Sequence, residues 1–304
     1  HPGVFAMHRR TFLATSSAAL ATCLARPLWA IPKDSPYLDT IGLQLWTVRN
    51  ELAADEKKTL RQIAKAGFKQ VELMDTTQAA SLLPICRDLG LNVTSSFLDW
   101  NAICKSASES ELSLLEILEM AQAADLKHLV FGYIGKGHRE SIDHFKQHAE
   151  AANTFGEKCS KAGIKLCYHN HAFEFEKLVD KQNPNGKTGF EILINELETN
   201  LCAFELDVFW VKIGGWDPIE TLKRLAGRVS QVHLKDLKVN VPIIYDESEV
   251  PLEAFEELGD GTINMSDVLK VCSEIGVEQC HIEQDESPDP LASIRQSIKY
   301  FRSL

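Results

Sequence analysis

From residue 41 onward the chain alternates short apolar runs with longer segments in which apolar positions recur every three or four residues. These are the signatures of buried strands and amphipathic helices. The strand-like runs are residues 41–46, 71–73, 91–97, 129–133, 164–168, 202–208, 229–234 and 279–283. Helical patterns fall at 55–66, 78–89, 111–124, 139–162, 190–198 and 264–275, with two more opening at Asp217-Pro218 and Asp289-Pro290. Gly67, Gly90, Gly163 and Gly276 close helices, and each Asp-Pro pair supplies an N-cap followed by a first-turn proline. Eight strand–helix units in about 265 residues predict an α/β (β/α)8 TIM barrel, for which about 250 residues is typical. A doubly wound open sheet is the runner-up, but the Gly-rich first turn of that fold is missing. The connection at 237–258 is long, carries Pro242 and Pro251, and reads as a lid or substrate loop.

Alternation along the strands sorts their polar residues. Glu205 and Asp207 share one face, as do Gln231, His233 and Lys235, and His281, Glu283 and Asp285. The opposite faces are apolar and must pack on the helices, so the polar sets point to the barrel axis. Another dense group, Tyr168-His169-Asn170-His171-Ala172-Phe173-Glu174-Phe175, follows the fifth strand-like run. These groups gather at C-terminal strand ends, where enzymes of this fold do their chemistry. Glu174, Asp207, His233 and Glu283 make a set of three carboxylates and one imidazole from four successive strand ends. Three anions together require a cation. Oxygen ligands with one nitrogen suit one divalent metal, Mn²⁺ first, with Mg²⁺, Co²⁺ and Zn²⁺ also admitted.

Composition changes this picture little. The chain has 304 residues, 44% hydrophobic and 25% charged, enough for a substantial core. A formal net charge of −11 argues against nucleic acid as a partner. Cys23 belongs to the N-terminal segment; the other seven cysteines are scattered without a C-x-x-C pair, so no disulfide framework is expected. The N-terminal segment differs from the rest. Residues 1–30 combine Arg9-Arg10, a short Ala/Ser/Thr-rich apolar run and an exit at Ala30, which resembles a twin-arginine export signal. The expected organisation is therefore an extension and signal over 1–30 and one barrel domain over 31–304, with a periplasmic destination. The apolar run is too short to span a bilayer, so no stable membrane insertion is expected.

Several motifs together resemble the xylose-isomerase-like barrels, broadly the sugar phosphate isomerases/epimerases. They are residues 42–49 (GLQLWTVR), Val71-Glu72-Leu73, the His169-Asn170-His171 run through Phe175, and Glu205-Leu206-Asp207 with Trp210. His233-Leu234-Lys235-Asp236, residues 259–263 (GDGTI) and Ile282-Glu283-Gln284-Asp285 complete the set. The resemblance implies one divalent metal held by Glu174, Asp207, His233 and Glu283. Relatives often carry a Glu at the fifth strand end itself, where this chain has Tyr168-His169. Glu174 and a neighbouring imidazole therefore compete for that position.

The chemistry implied is proton transfer next to a carbonyl through a metal-stabilised enediolate on a small carbohydrate. Glu174 and Glu283 are the expected bases, with His169 and His171 as further catalytic candidates. Gln44, Trp46, Glu72 and Lys235 are expected to face substrate. An isomerase or epimerase is the leading reading. A lyase or dehydratase acting on a keto-sugar or 3-keto-glycoside is the alternative, and a non-catalytic sugar-binding protein is the alternative of a different class. A homo-oligomer is left open.

Overall fold

A computed structural model describes residues 35–104 and 112–304. The expected signal lies outside the described residues. Eight parallel strands close into a barrel: β1 (Gly42–Gln44), β2 (Gln70–Leu73), β3 (Asn92–Phe97), β4 (His128–Phe131), β5 (Lys165–His169), β6 (Cys202–Asp207), β7 (Val229–Leu234) and β8 (Gln279–Ile282). Each strand pairs with its neighbours in sequence. Gly42 closes the ring by facing both Gln70 of β2 and His281 of β8. Around them run α1 (Glu56–Ala66), α2 (Ala79–Leu89), α3 (Leu114–Ala123), α4 (Ile142–Lys161), α5 (Gly189–Glu196), α6 (Pro218–Arg224), α7 (Met265–Ile275) and α8 (Pro290–Phe301). The (β/α)8 expectation holds.

Local chemistry sets the element ends. Asp55, Ser113, Ser141, Thr188, Asp217, Asn264 and Asp289 each accept a backbone N–H at a helix start. Gly67, Gly90 and Gly276 close α1, α2 and α7 at positive φ, which L side chains rarely adopt. Several boundaries differ from the sequence pattern by one to three residues, and in two of them a side chain sets the end. β1 stops at Gln44 because the Gln44 side chain accepts from the Trp46 N–H and turns residues Leu45–Val48 into a 3-10 helix. β6 stops at Asp207 because Asp207 Oδ1 accepts from Phe209 and Trp210 N–H, starting an extra helix, Val208–Ile213. The hydrophobic signal of Val208 and Phe209 suits either state; a side-chain cap decides it.

The core lies between the barrel and its helices, with Phe131, Phe155, Tyr168, Phe190, Phe204, Phe209 and Phe301 fully enclosed. The barrel interior is different. Gln44, Glu72, Ser95, His169, Glu205, Gln231, His233 and His281 are buried there, where most barrels of this kind carry branched apolar side chains. Gly42 makes room for this network. A Cβ at residue 42 would lie 2.2 Å from His281 Cδ2 and 2.8 Å from Gln70 Cγ, both on buried side chains. Gly42→Ala should therefore cost about 1–3 kcal/mol, read as a lower midpoint of thermal or urea unfolding. An unchanged midpoint would mean that the interior is looser than this packing indicates.

The 237–258 connection is partly ordered by pairing. Asp236–Leu237 lies antiparallel to Phe255–Glu256, with 3-10 turns at Glu247–Glu249 and Leu252–Ala254 between. Lys136 and Arg139, after β4, hold it from across the barrel mouth through Asp246 at 2.6 Å and both oxygens of Glu247 at 2.8 and 2.9 Å. Among the described residues no helix is long and apolar enough to cross a membrane, and the seven described cysteines are free thiols.

Candidate active site and metal centre

The C-terminal strand ends open into a cavity of about 780 Å³. Its floor is built by side chains two residues apart on β6, β7 and β8. Asp207 Oδ1 is used as the helix cap described above, while Oδ2 is buried and makes no hydrogen bond, having Lys235 Nζ 3.0 Å away as an ionic neighbour. His169 Nε2 and His233 Nδ1 each lie 3.9 Å from that oxygen. Glu283 Oε2 is 2.9 Å from His233 Nδ1 and 2.7 Å from Lys235 Nζ. Lys235 also donates to Asp285 Oδ1 at 2.9 Å.

The opposite edges of the two imidazoles meet another carboxylate. Glu205 Oε1 is 3.1 Å from His169 Nδ1 and 3.0 Å from His233 Nε2. Glu72 Oε2 lies 2.7 Å from the same His233 nitrogen and accepts from Gln44, while Glu72 Oε1 accepts from Ser95. Gln231 donates to Glu205 Oε2 at 2.8 Å. Glu205 therefore turns both rings so that His169 Nε2 and His233 Nδ1 face Asp207. Carboxylates behind metal-binding imidazoles commonly fix ring orientation in this way. Asn170 adds a backbone pin, accepting from Asp207 N–H and donating to Asp207 C=O.

Burial governs the charges. His169 is held well below the usual histidine range by burial and by the neighbouring His233 and His171 rings. His233 goes the other way. Burial opposes its charge, but Glu205, Glu283 and Glu72 overcome that and raise it well above the usual range. Glu205 is raised by burial and by the adjacent Glu72 anion, whereas Glu72 is lowered to about 2, its burial outweighed by His281 and His233. Asp285 is raised to about 7 by burial, against the pull of Lys235.

His169, Asp207 and His233 present three buried ligand atoms within 4.8 Å of one another, and Glu283 stands beside them. Asp207 Oδ2, ion-paired to Lys235 but without a hydrogen bond, and the nitrogen edges aimed toward it fit a divalent cation. This is a buried His/Glu/Asp cluster consistent with a metal site, and it contains two imidazoles where one was expected. Such a donor set suits Zn²⁺, Co²⁺ and Fe²⁺ as well as Mn²⁺.

Glu174 is not brought into this group. The chain leaves β5 at His169, and the 3-10 turn Phe173–Phe175 returns the Glu174 carboxylate to the outward face of the strand. There it accepts from Tyr168 Oη at 2.6 Å and from the His171 N–H at 3.0 Å. Burial pushes its carboxyl up to about 8. His169, one residue past the outward-facing Tyr168, occupies the inward place instead. Glu72 also departs from expectation: it is fully buried beneath the floor and does not border the cavity. Gln44, Trp46, Lys235, His169, His171 and Glu283 do border it. The role of Glu205 was missed, although its position two residues before Asp207 on one strand face was the available signal.

Residues 60–304 match the family described as xylose isomerase-like TIM barrel. The chain belongs to that family. Among curated relatives, the inosose dehydratase of Clostridium perfringens is 24% identical over 271 residues, covering 81% of this chain and 89% of that protein. The inosose dehydratase of Clostridium botulinum is 22% identical over 268 residues, covering 80% and 86%. Among solved structures, a sugar phosphate isomerase/epimerase from Parabacteroides distasonis superposes with a TM-score of 0.71 at 23% identity, covering 91% of this chain and 97% of the other. That likeness is one of fold.

If Glu205 aims both imidazoles, Glu205→Gln should weaken divalent-metal retention by about 10- to 100-fold, since the amide loses the negative charge that both rings share at Oε1 and sets an NH2 group against the Gln231 donor at the other position. Competition with a chromophoric chelator measures this, with circular dichroism confirming the fold. Parent-like retention would remove Glu205 from the metal centre.

Proposed function

We propose that the protein is a divalent-metal-dependent enzyme that removes a proton next to the ketone of a sugar or cyclic polyol and then expels the β-oxygen substituent. His169, Asp207 and His233, with Glu283 beside them, would hold the ion. When bound, it would polarise the ketone and favour loss of the neighbouring proton. The observation that carries the elimination step is the Glu283–Lys235–Asp285 chain at the cavity: a carboxylate and a carboxyl raised to about 7 by burial are held 2.7 and 2.9 Å from one ammonium, a base and an acid side by side.

Glu283 takes the α-proton; the Lys235 ammonium 2.7 Å away holds the carboxylate in place and, with His233, keeps it ionised, well below the usual glutamate range against the pull of burial. The electron pair of the broken C–H bond is held first as the enolate, whose return to ketone exchanges the α-proton with solvent, and then forms the C=C bond as the β C–O bond breaks. Asp285, bordering the same cavity and hydrogen-bonded to Lys235, gives the departing oxygen its proton. Water or an alcohol leaves, and the organic product is an enone. The dehydratase activity carried in the names of the curated relatives supports this reading.

The test is to load the full chain in turn with Mn²⁺, Co²⁺ and Zn²⁺ and incubate it in D2O with inosose and a panel of keto-sugars and keto-glycosides. Expected are deuterium exchange at the α-carbon and the ultraviolet absorbance of a conjugated enone. Exchange with stereochemical inversion and no enone would make it an epimerase. No exchange with any substrate would leave a sugar-binding protein. Export to the periplasm is proposed separately, from the Arg9-Arg10 segment, and is checked by locating the mature protein after fractionation of cells with and without a working twin-arginine pathway.

A further inference from the structure

Past Ile282, where β8 ends, the backbone keeps one more bond to the neighbouring strand, from Glu283 N–H to Leu234 C=O at 3.1 Å. Beyond that point the strand alternation that aims side chains inward no longer acts. Asp285 nevertheless borders the cavity, with its carboxyl 2.9 Å from Lys235 Nζ. Lys235 does not fix that direction alone, because an ammonium is a point charge and this one is shared with Asp207 and Glu283.

The groups that hold the turn come from the loop after β1. Thr47 Oγ1 accepts from Gln284 N–H at 3.0 Å, one residue before Asp285. Arg49 Nη1 donates to the Asp285 C=O at 2.7 Å and to the Trp46 C=O at 3.0 Å, while Nη2 donates to Glu286 Oε1 at 3.0 Å. The guanidinium carbon also lies 4.5 Å from the centre of the Trp46 ring, so the same group braces the indole beside the cavity. Because β1 and β8 pair where the barrel closes, this one side chain ties the first strand end to the last. The ion pair with Glu286 is partly exposed and contributes little by its charge. The geometry matters more: a planar fork offers donors in fixed directions, which a lysine ammonium cannot copy.

From these bonds we infer that Arg49 is a positioning residue for the acid of the elimination. It fixes the backbone of Asp285, and with it the carboxyl, beside the Glu283 base. This rests on the proposed chemistry for the role of Asp285, but the holding of the turn does not depend on turnover. Displacing a reacting group by about 1 Å costs on the order of 10²-fold in rate. Removal of the α-proton comes one step earlier and uses Glu283, which has its own bonds to Leu234, His233 and Lys235. Loss of Arg49 should therefore separate the two steps.

The experiment compares the parent with Arg49→Ala, Arg49→Lys and Asp285→Asn, each as the full metal-loaded chain with circular dichroism confirming the fold. On inosose, or on the keto-sugar that the parent turns over, enone formation should fall about 10- to 100-fold in Arg49→Ala. Deuterium exchange at the α-carbon should stay within a few-fold of the parent. Asp285→Asn should show the same split more strongly, and Arg49→Lys should recover enone formation only in part, since it keeps the charge but not the fork. Amide deuterium uptake gives a reading without substrate: residues 283–289 should exchange faster in Arg49→Ala than in the parent, and residues 165–171 should not. Unchanged enone formation in Arg49→Ala, an equal fall in both steps, full recovery in Arg49→Lys or unchanged uptake at 283–289 overturns the inference. Full enone formation in Asp285→Asn, or a parent with neither activity, sinks the proposed chemistry instead, and the uptake comparison then decides alone whether Arg49 holds the turn.

Discussion

Glu283→Gln loses about 10²- to 10⁴-fold in α-proton exchange and in turnover, while the protein stays folded. The glutamine side chain has the same shape but cannot take a proton at neutral pH, and general-base catalysis by a positioned group is worth roughly that factor. The substitution also removes a negative charge 2.7 Å from Lys235 and 2.9 Å from His233. Lys235 keeps Asp207 and Asp285 as partners, so the site retains balancing charge on that side. His169, Asp207 and His233 still offer three ligand atoms, so bound metal falls far less than the rate. The two are separated by metal analysis and deuterium exchange on the same sample. If exchange survives within about tenfold, the base is another group and the assignment of Glu283 fails.

The second large effect is on stability and lies just behind the site. Asp236 is the next residue after Lys235 and points away from the cavity. Its two oxygens accept from the backbone N–H groups of Leu237, Gly259, Gly261 and Ile263, at 2.9 to 3.2 Å. Burial raises its carboxyl above the usual aspartate value, and these four donors work against that shift. Asp236→Ala leaves four N–H groups without their acceptor, and repacking cannot replace it because the residue 259–263 turn is built around the carboxylate. A Cβ on Gly261 would come within 2.2 Å of Asp236 Oδ1. The expected loss is on the order of 3–5 kcal/mol, a fall in Tm of roughly 10 °C or more. Asp236→Asn should fall between, since its amide keeps one acceptor oxygen. Thermal unfolding followed by circular dichroism measures both; an alanine variant within about 1 kcal/mol of the parent would show that water or a shifted loop satisfies these amides.

Residue alternation and capping chemistry made most of the frame legible. Period-two runs between Gly-closed helices implied eight units, and the apolar faces of β6, β7 and β8 told which residues look inward. That reasoning placed Asp207, His233, Lys235 and Glu283 on the interior side, because a strand offers only two faces and one of them must pack on helices. It also contained Glu205, without a reason to single it out. A carboxylate becomes an anchor for two rings only when β5 and β7 lie on either side of it, and the strand order of a closed barrel supplies that.

What the chain alone determined is the barrel, its polar interior and the end at which chemistry can happen, since these depend on local periodicity and on the cost of burying unpaired charge. What only the tertiary structure decided is which groups converge. Along the sequence Glu174 is the first carboxylate after β5 and the natural partner of Asp207. In space a single 3-10 turn puts it under the Tyr168 hydroxyl, and His169 stands in its place. The reason is geometric. Strand periodicity ends where β5 ends, and past that point the direction of a side chain is set by turn dihedrals and by nearby donors, neither of which the order of residues displays.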